Sequence, residues 1–205
     1  MPLLSYLILK WETETLPIFE RPEAHAISGR CAPYPPREML RGKLTDELRK
    51  QLLEIEPSRD WNLNYRPASV TLVNGDIIDN VYIVEKARYL SSWGVMPAND
   101  KGKNEVLIED VQLIRESPNR IPAQLANKLY EAGESGMGYC VFKVKFDNGT
   151  TTDVLTGNAI DFIPMPEGLT NKNVVDVLPH EGSRKEHKNG LPYFWCLVEE
   201  QLDNY

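Results

Sequence analysis

The sequence predicts an α+β fold that is mainly antiparallel β, with two small barrel-like β modules and two short helices. Apolar, β-branched runs flank Asn-Gly steps at 74–75 and 148–149. Asn-Gly is the preferred dipeptide of a two-residue hairpin turn, in which both residues need a positive φ. Two other segments, 45–56 and 117–132, carry apolar residues at helical spacing instead. We therefore take the two hairpins as the framework and the two helices as additions to it.

The composition is that of a globular protein with its own core. Of the 205 residues, 41% are hydrophobic and 26% are charged, which is usual for a soluble domain. The formal net charge of −7 argues against a broad surface for nucleic acid or for an anionic membrane. Nothing in the sequence calls for a cofactor.

The cysteines and the first residues predict a cytoplasmic protein. Cys31, Cys140 and Cys196 are odd in number and contain no C-x-x-C pair, so a reducing compartment is the simplest interpretation. The apolar run at 3–11 is too short for a membrane span and lacks the basic flank of a signal peptide. It predicts a buried strand instead.

We divide the chain into four segments, with one continuous domain as the alternative. Residues 1–67 hold the first strand, a proline-rich arm and a helix; the proline-rich stretch at 32–37 could also be a polyproline-type ligand. Residues 68–116 form the first β module, 117–133 the connecting helix, and 134–205 the second β module with a C-terminal strand. Thr45 is placed to cap the first helix, and Gly133 is placed to end the second in a left-handed conformation.

The two β modules have a similar pattern. Each hairpin carries an Asp four residues after the turn glycine, Asp79 and Asp153, and each is followed by a third apolar run, at 106–114 and 158–163. Apolar residues on both faces of the first hairpin predict that it is covered on both sides. Duplication explains the similarity; two independent Asn-Gly turns also explain it. The last apolar run, at 192–198, is expected to pair with an earlier strand.

The first module resembles an Sm-type or SH3-like small barrel. The resemblance rests on V-x-L-x-N-G at 70–75, the strand after it and the later run at 106–114, and it implies a small closed barrel. The Asp and Asn constellation expected of Sm-type proteins does not appear at 85–89, and no Arg-Gly appears at 112–116. The resemblance therefore implies no RNA-binding residue in this chain.

The loop that follows the second helix is the candidate ligand site. Its glycines have the spacing of a phosphate-binding loop, but the Lys and Ser or Thr that should follow are absent, and the order helix–loop–strand is reversed. The loop either approaches a ligand or packs closely against a neighbouring strand. The candidate ligand-binding residues are Glu134, Ser135, Gly136, Gly138 and Tyr139. Trp61 and Tyr65 either line a groove or anchor their linker to the core.

A catalytic set is the competing possibility. Cys140, His180 and Asp161 or Asp176 include a nucleophile, a base and an acid, but only a fold can bring them together. Cys140 lies in an apolar strand, where a buried and inert thiol is the common outcome. His180, Glu181 and His187 have no regular metal-ligand spacing, so we predict no metal site.

Three functions follow from these patterns. The first is a non-catalytic binding protein with a protein partner, with the oligomeric state left open. The second is a hydrolase or transferase that uses Cys140 and His180. The third, less expected, is single-stranded nucleic-acid binding by basic and aromatic side chains. Those side chains are Lys143, Lys145, Arg184, Lys185, Lys188, Tyr193 and Trp195.

Overall fold

A computed structural model describes residues 42–61 and 63–202 of the chain. The strand predicted at 3–11 and the proline-rich arm lie outside the described residues. Within them the fold is α+β, as predicted, with mixed sheets that are mostly antiparallel. The helices are α1 (Asp46–Leu53), α2 (Lys86–Trp93) and α3 (Ala123–Ala132). The strands are β1 (Ser58–Asp60), β2 (Leu63–Leu72), β3 (Ile77–Glu85), β4 (Asn104–Glu105), β5 (Val111–Glu116), β6 (Cys140–Phe146), β7 (Thr151–Thr156), β8 (Val174–Pro179), β9 (Lys188–Asn189) and β10 (Phe194–Val198).

The described strands form two open sheets and no closed barrel. The first sheet runs β1-β2-β3-β10-β4, with β5 also paired to β2, and the second runs β8-β6-β7-β9. β10 returns to the first sheet, as predicted, and pairs in parallel with both β3 and β4. β9 likewise pairs in parallel with β7. The barrel-like modules are therefore not confirmed. The second strand of each hairpin pairs with a strand from a distant segment, β10 beside β3 and β9 beside β7.

Both Asn-Gly hairpins are confirmed, but the turns differ from the predicted two-residue type. Leu72 N donates to Asp76 O at 2.8 Å and Gly75 N donates to Leu72 O at 2.9 Å, so the loop has three residues. Only Gly75 has a positive φ, of 92°. The Asn74 side chain instead accepts a hydrogen bond from Asp76 N. A turn followed by a glycine at positive φ is the usual three-residue hairpin loop.

The second hairpin repeats the first, and so does the strand beside it. Phe146 N donates to Thr150 O, Gly149 N donates to Phe146 O, and Gly149 has a φ of 81°. In each module a short 3-10 turn leads into a third strand on the outer side of the hairpin: Ile108–Asp110 before β5, and Asn171–Asn173 before β8. Both third strands show a register shift at the same place, beside the last residue of the hairpin's first strand.

The sequence placed the second of these third strands wrongly. Residues 158–163 contribute only an isolated bridge, between Arg120 and Phe162. The true counterpart of β5 is β8, in a segment too short to assign from its pattern. In the first module the run at 106–114 begins with the 3-10 turn and becomes a strand only at Val111.

The helices follow the prediction in part. Thr45 caps α1, since its hydroxyl accepts from Leu48 N at 3.2 Å. α3 starts at Ala123, not at 117, and its C-cap is Gly133, whose φ of 76° is positive but whose ψ of −172° is not left-handed helical. α2 was not predicted: it has one buried residue, Tyr89, and no side-chain cap. The described ranges thus contain three α-helices where two were expected.

One hydrophobic cluster contains side chains from both modules. Tyr82 and Trp195 of the first sheet belong to the same cluster as Phe142 and Val144 of the second. The opposite face of the first sheet packs a second cluster under α1. The first hairpin is therefore covered on both faces only away from its turn, where residues 81–84 alternate between the two clusters. Near the turn the prediction is wrong, because Val73 and Ile77 are exposed. The segment boundaries at 68, 117 and 134 stay a prediction. No helix in the described ranges has the length and apolar character needed to cross a membrane.

Candidate functional site

A fully buried carboxylate, Asp161, lies at the centre of a polar cluster in the core. It accepts hydrogen bonds from the hydroxyls of Ser58, Tyr82 (3.1 Å) and Tyr130 (2.7 Å). Arg120, also fully buried, has its Nε 3.9 Å from Asp161 Oδ1. Burial raises the pKa of Asp161, although Arg120 and the three hydroxyl donors oppose that shift. These hydrogen bonds connect Asp161 to β1, β3 and α3. A buried carboxylate needs such hydrogen bonds and a nearby cation to offset the loss of its hydration.

A cleft of about 400 Å³ lies next to this cluster, at the end of α3. Tyr130 contributes to both, because its ring lines the cleft and its hydroxyl reaches Asp161. The cleft takes its walls from the β1–β2 turn, the end of α3, the loop after it, the start of β6 and the segment after β7. The lining residues are Asp60, Trp61, Leu129, Tyr130, Gly133, Glu134, Cys140, Asn158 and Ile160.

Trp61 is the most unusual residue of this cleft. It is 95% exposed and has a φ of 52°, in the tight connection between the paired residues Asp60 and Leu63. A positive φ costs a non-glycine residue about 1–2 kcal/mol, and a bulky side chain there is a genuine outlier. An exposed indole also gains nothing from the core. Trp61 thus has the features of a contact residue and few of a packing residue.

The charged side chains that line the cleft are both hydrogen-bond acceptors. Asp60 and Glu134 supply carboxylates, and Asn158 Oδ1 is buried without a hydrogen-bond partner in the described part of the chain. Burial raises the pKa of Asp60, and the charges of Asp161 and Glu134 raise it further, against a hydrogen bond from Tyr65 at 3.4 Å. The site is therefore suited to a ligand that carries positive charge and several N–H donors.

The predicted catalytic residues each have other contacts. Asp161 accepts hydrogen bonds from Ser58, Tyr82 and Tyr130 in the core. His180 Nδ1 lies 3.0 Å from Ser135 Oγ, and His180 Nε2 lies 3.1 Å from the carbonyl of Ala132. The Cys140 thiol has Gly133 O at 4.0 Å. Neither nitrogen of His180 is thus directed to Cys140 in these contacts.

The chemistry of Cys140 also opposes a nucleophilic role. Burial raises the pKa of its thiol, and the charges of Glu134 and Asp60 raise it further. A reactive cysteine needs the opposite surroundings, with a cation or a helix N-terminus to stabilise the thiolate. The surroundings of Cys140 therefore favour the thiol over the thiolate.

The candidate ligand loop is placed partly at the cleft and partly beside it. Glu134 lines the cleft, and its carboxylate also accepts from Gly138 N at 2.9 Å. Ser135 holds the loop to β6, since its hydroxyl accepts from Val141 N at 2.9 Å. Gly136 and Tyr139 bridge to each other. Gly138 and Tyr139 line a separate and more open hollow of about 460 Å³, on the β7 side of the loop.

Sequence reasoning missed Asp60, Asn158 and Ile160 and left Trp61 ambiguous. Tyr65, the other aromatic residue of that linker, lies in the core beside Tyr82 and Trp195. No spacing in the sequence links 60, 134 and 158, because tertiary packing alone brings them to one cleft. The only feature of the linker sequence that indicated a binding site was Trp61, an aromatic residue among polar ones.

Three of the seven residues proposed for nucleic-acid binding are buried or lie beside carboxylates. Trp195 is fully buried and cannot stack on a base. Lys143 pairs with Asp153 at 2.6 Å, and Lys145 lies 3.5 Å from Asp176. Within the described ranges, no group of three or more His, Cys, Asp or Glu side chains could hold a metal ion.

Comparison of the chain with known protein families, curated proteins and solved structures gives no match.

Proposed function

We propose that the protein is a non-catalytic binding protein that holds an arginine side chain of a partner protein in the cleft beside Trp61. The observation that carries this proposal is Trp61 itself, which is exposed, has a positive φ and lines one cleft with the carboxylates of Asp60 and Glu134. Residues in unfavourable backbone conformations concentrate at ligand sites, where the surrounding structure holds them. The cleft volume of about 400 Å³ lies in the range of ligand sites.

Charge and hydrogen-bond chemistry favour a guanidinium group. The cleft offers the carboxylate acceptors of Asp60 and Glu134, and guanidinium presents five N–H donors in a plane. The flat cation also stacks on an indole ring, which contributes roughly 0.5–2 kcal/mol. The formal net charge of −7 favours the approach of a basic partner.

The two competing functions have less support. A cysteine hydrolase or transferase needs a thiolate, and the surroundings of Cys140 favour the thiol. Single-stranded nucleic acid needs exposed aromatic rings beside free cations. Trp195 is buried, and Lys143 and Lys145 lie beside carboxylates.

The test measures binding of short capped peptides by calorimetry. An arginine peptide is expected to bind, and the same peptide with citrulline, which is neutral and of nearly the same shape, is expected to bind about tenfold more weakly or worse. Trp61→Ala and Glu134→Gln should each weaken the arginine peptide. Glu131→Gln is the matched control, because Glu131 is an exposed α3 residue that does not line the cleft.

Equal affinity for the arginine and citrulline peptides would contradict the proposal. So would equal effects of Glu134→Gln and Glu131→Gln. Loss of a measurable turnover on replacing Cys140 by Ser would instead favour the enzymatic alternative.

A further inference from the structure

The tip of the first hairpin exposes three large apolar side chains. Val73, Ile77 and Leu107 are 63%, 66% and 53% exposed. Val73 and Ile77 flank the Asn74-Gly75 turn. Leu107 begins the 3-10 turn that holds this tip, since Val73 N donates to Asp110 O at 2.8 Å and Asp110 N donates to Leu107 O at 3.0 Å. We call these three residues the apolar tip.

The second module has the same turn, so it shows which residue types this turn can accept at the positions of the apolar tip. Asp147 N donates to Asn173 O at 2.9 Å, and Asn173 N donates to Thr170 O at 3.0 Å, which repeats the bonds of the first tip. The equivalents of Val73, Ile77 and Leu107 are therefore Asp147, Thr151 and Thr170.

The neighbouring row of the sheet shows the same contrast between the modules. Leu113 and Ile77 flank Thr71 across the first sheet. Asp176 and Thr151 flank Lys145 across the second. The same backbone arrangement therefore occurs twice. The row across the first sheet has apolar residues on both sides of its threonine, and the row across the second contains a lysine and an aspartate.

The fold therefore does not require apolar residues at the tip. The second module forms the same turn, the same register shift and the same 3-10 contact with polar side chains. Clustered exposed apolar groups without a folding role mark an interaction surface. This comparison within one chain separates the apolar tip from the scattered apolar residues found on any protein surface.

The charges around the tip indicate what covers it. Segments 72–79 and 107–113 contain no lysine or arginine, and Asp76, Asp79 and Glu109 supply acidic groups there. Two copies of this chain that met at their tips would place these carboxylates against each other, and like charges oppose association. We propose that the apolar tip is a docking surface for a different protein, one whose contact patch is apolar and rimmed with lysine or arginine.

The test exchanges the tips between the modules. The triple variant Val73→Asp, Ile77→Thr, Leu107→Thr gives the first module the residues of the second, which this backbone accommodates. The reverse triple variant Asp147→Val, Thr151→Ile, Thr170→Leu is the matched control. The probe is an amphipathic peptide of leucine and lysine, with a leucine–glutamate peptide as its counterpart, and the readout is methyl NMR of the labelled valine, leucine and isoleucine side chains.

The leucine–lysine peptide is expected to shift the methyl signals of Val73, Ile77 and Leu107. Its affinity for the first triple variant should fall about tenfold or more. The reverse variant should show no comparable shifts at 147, 151 and 170, because Lys172 stands where the first module has Glu109 and Lys145 lies beside position 151. Unchanged melting temperatures would show that both variants fold.

Three results would overturn the proposal. The first is equal binding of the leucine–lysine and leucine–glutamate peptides. The second is an unchanged affinity of the first triple variant. The third is a concentration-dependent dimer in sedimentation that the first triple variant abolishes, since a second copy would then be the occupant.

Discussion

Two non-glycine residues in the described part of the chain, Trp61 and His180, have a positive φ, of 52° and 62°. Both adjoin the loop that follows α3. Trp61 shares the cleft with Gly133 and Glu134, and His180 lies within 3.1 Å of Ala132 O and 3.0 Å of Ser135 Oγ. Backbone strain is thus concentrated around one loop, which is the pattern expected of a binding site.

The strain at Trp61 predicts opposite effects on stability and binding. Asn tolerates a positive φ better than other residues with a side chain, so Trp61→Asn should raise the free energy of unfolding by about 1 kcal/mol. Trp61→Ala is the control, because it removes the same exposed ring and keeps the unfavourable φ. Denaturant unfolding gives the stabilities, and the arginine peptide should bind both variants poorly. A Trp61→Asn variant no more stable than Trp61→Ala would argue against strain.

The raised pKa of Asp60 predicts that binding depends on pH. Below that pKa the carboxyl is neutral and no longer attracts a cation, so affinity for the arginine peptide should fall as the pH is lowered through a value above the usual aspartate range. Calorimetric titrations over a series of pH values measure the effect. Asp60→Asn should bind more weakly at neutral pH and lose this part of the pH dependence. An identical profile in Asp60→Asn would assign the dependence to another group.

At the scale of elements, each hairpin depends on one glycine. A Cβ added at Gly75 would contact nothing within 4 Å, so the φ of 92° is the only obstacle to a side chain. Gly75→Ala should therefore lower the free energy of unfolding by about 1–2 kcal/mol, and Gly75→Asn by less. Gly157→Ala is the control, since its added Cβ meets its nearest atom at 4.0 Å and its φ is not positive. Equal losses of stability for Gly75→Ala and Gly157→Ala would contradict the explanation from the positive φ of Gly75.

Local signals made the hairpins and α1 predictable from sequence. Each rests on residues close in the chain: an Asn-Gly step between apolar runs, or Thr45 before a helical stripe. α2 escaped prediction because it has only Tyr89 to bury and no capping side chain. Its stability comes from tertiary contacts, such as the ring of Tyr89 packed 4.9 Å from that of Trp195.

The error at 158–163 and the incomplete site have a common physical cause. Apolar neighbours made that segment look like a strand, although it is buried as irregular chain around Asp161. A charged residue at that depth is tolerated only because Ser58, Tyr82, Tyr130 and Arg120 surround it. Glu134 was predictable from its glycine-rich loop, whereas Asp60 and Asn158 reach the cleft only through packing between distant segments.

At the scale of the whole molecule, the shared hydrophobic cluster predicts that both modules unfold together. Phe142 is fully buried in that cluster with Tyr82 and Trp195. Phe142→Ala should cost about 3–5 kcal/mol. Hydrogen exchange should show β2 and β3 losing as much protection as β6 and β7.

The control for this experiment is Val175→Thr, an exposed position on β8 that should change little. Two separate unfolding transitions, with the first hairpin unaffected by Phe142→Ala, would mean that the modules are independent domains.

The position of β10 has a consequence for synthesis of the chain. β3 and β4 leave the ribosome long before Phe194–Val198, the strand that lies between them and pairs with both. Until then the growing polypeptide carries a bare row of backbone donors and acceptors along β3, which foreign strands can join. Nascent or prematurely terminated copies are thus the forms most exposed to aggregation, and chaperones would be most needed late in translation.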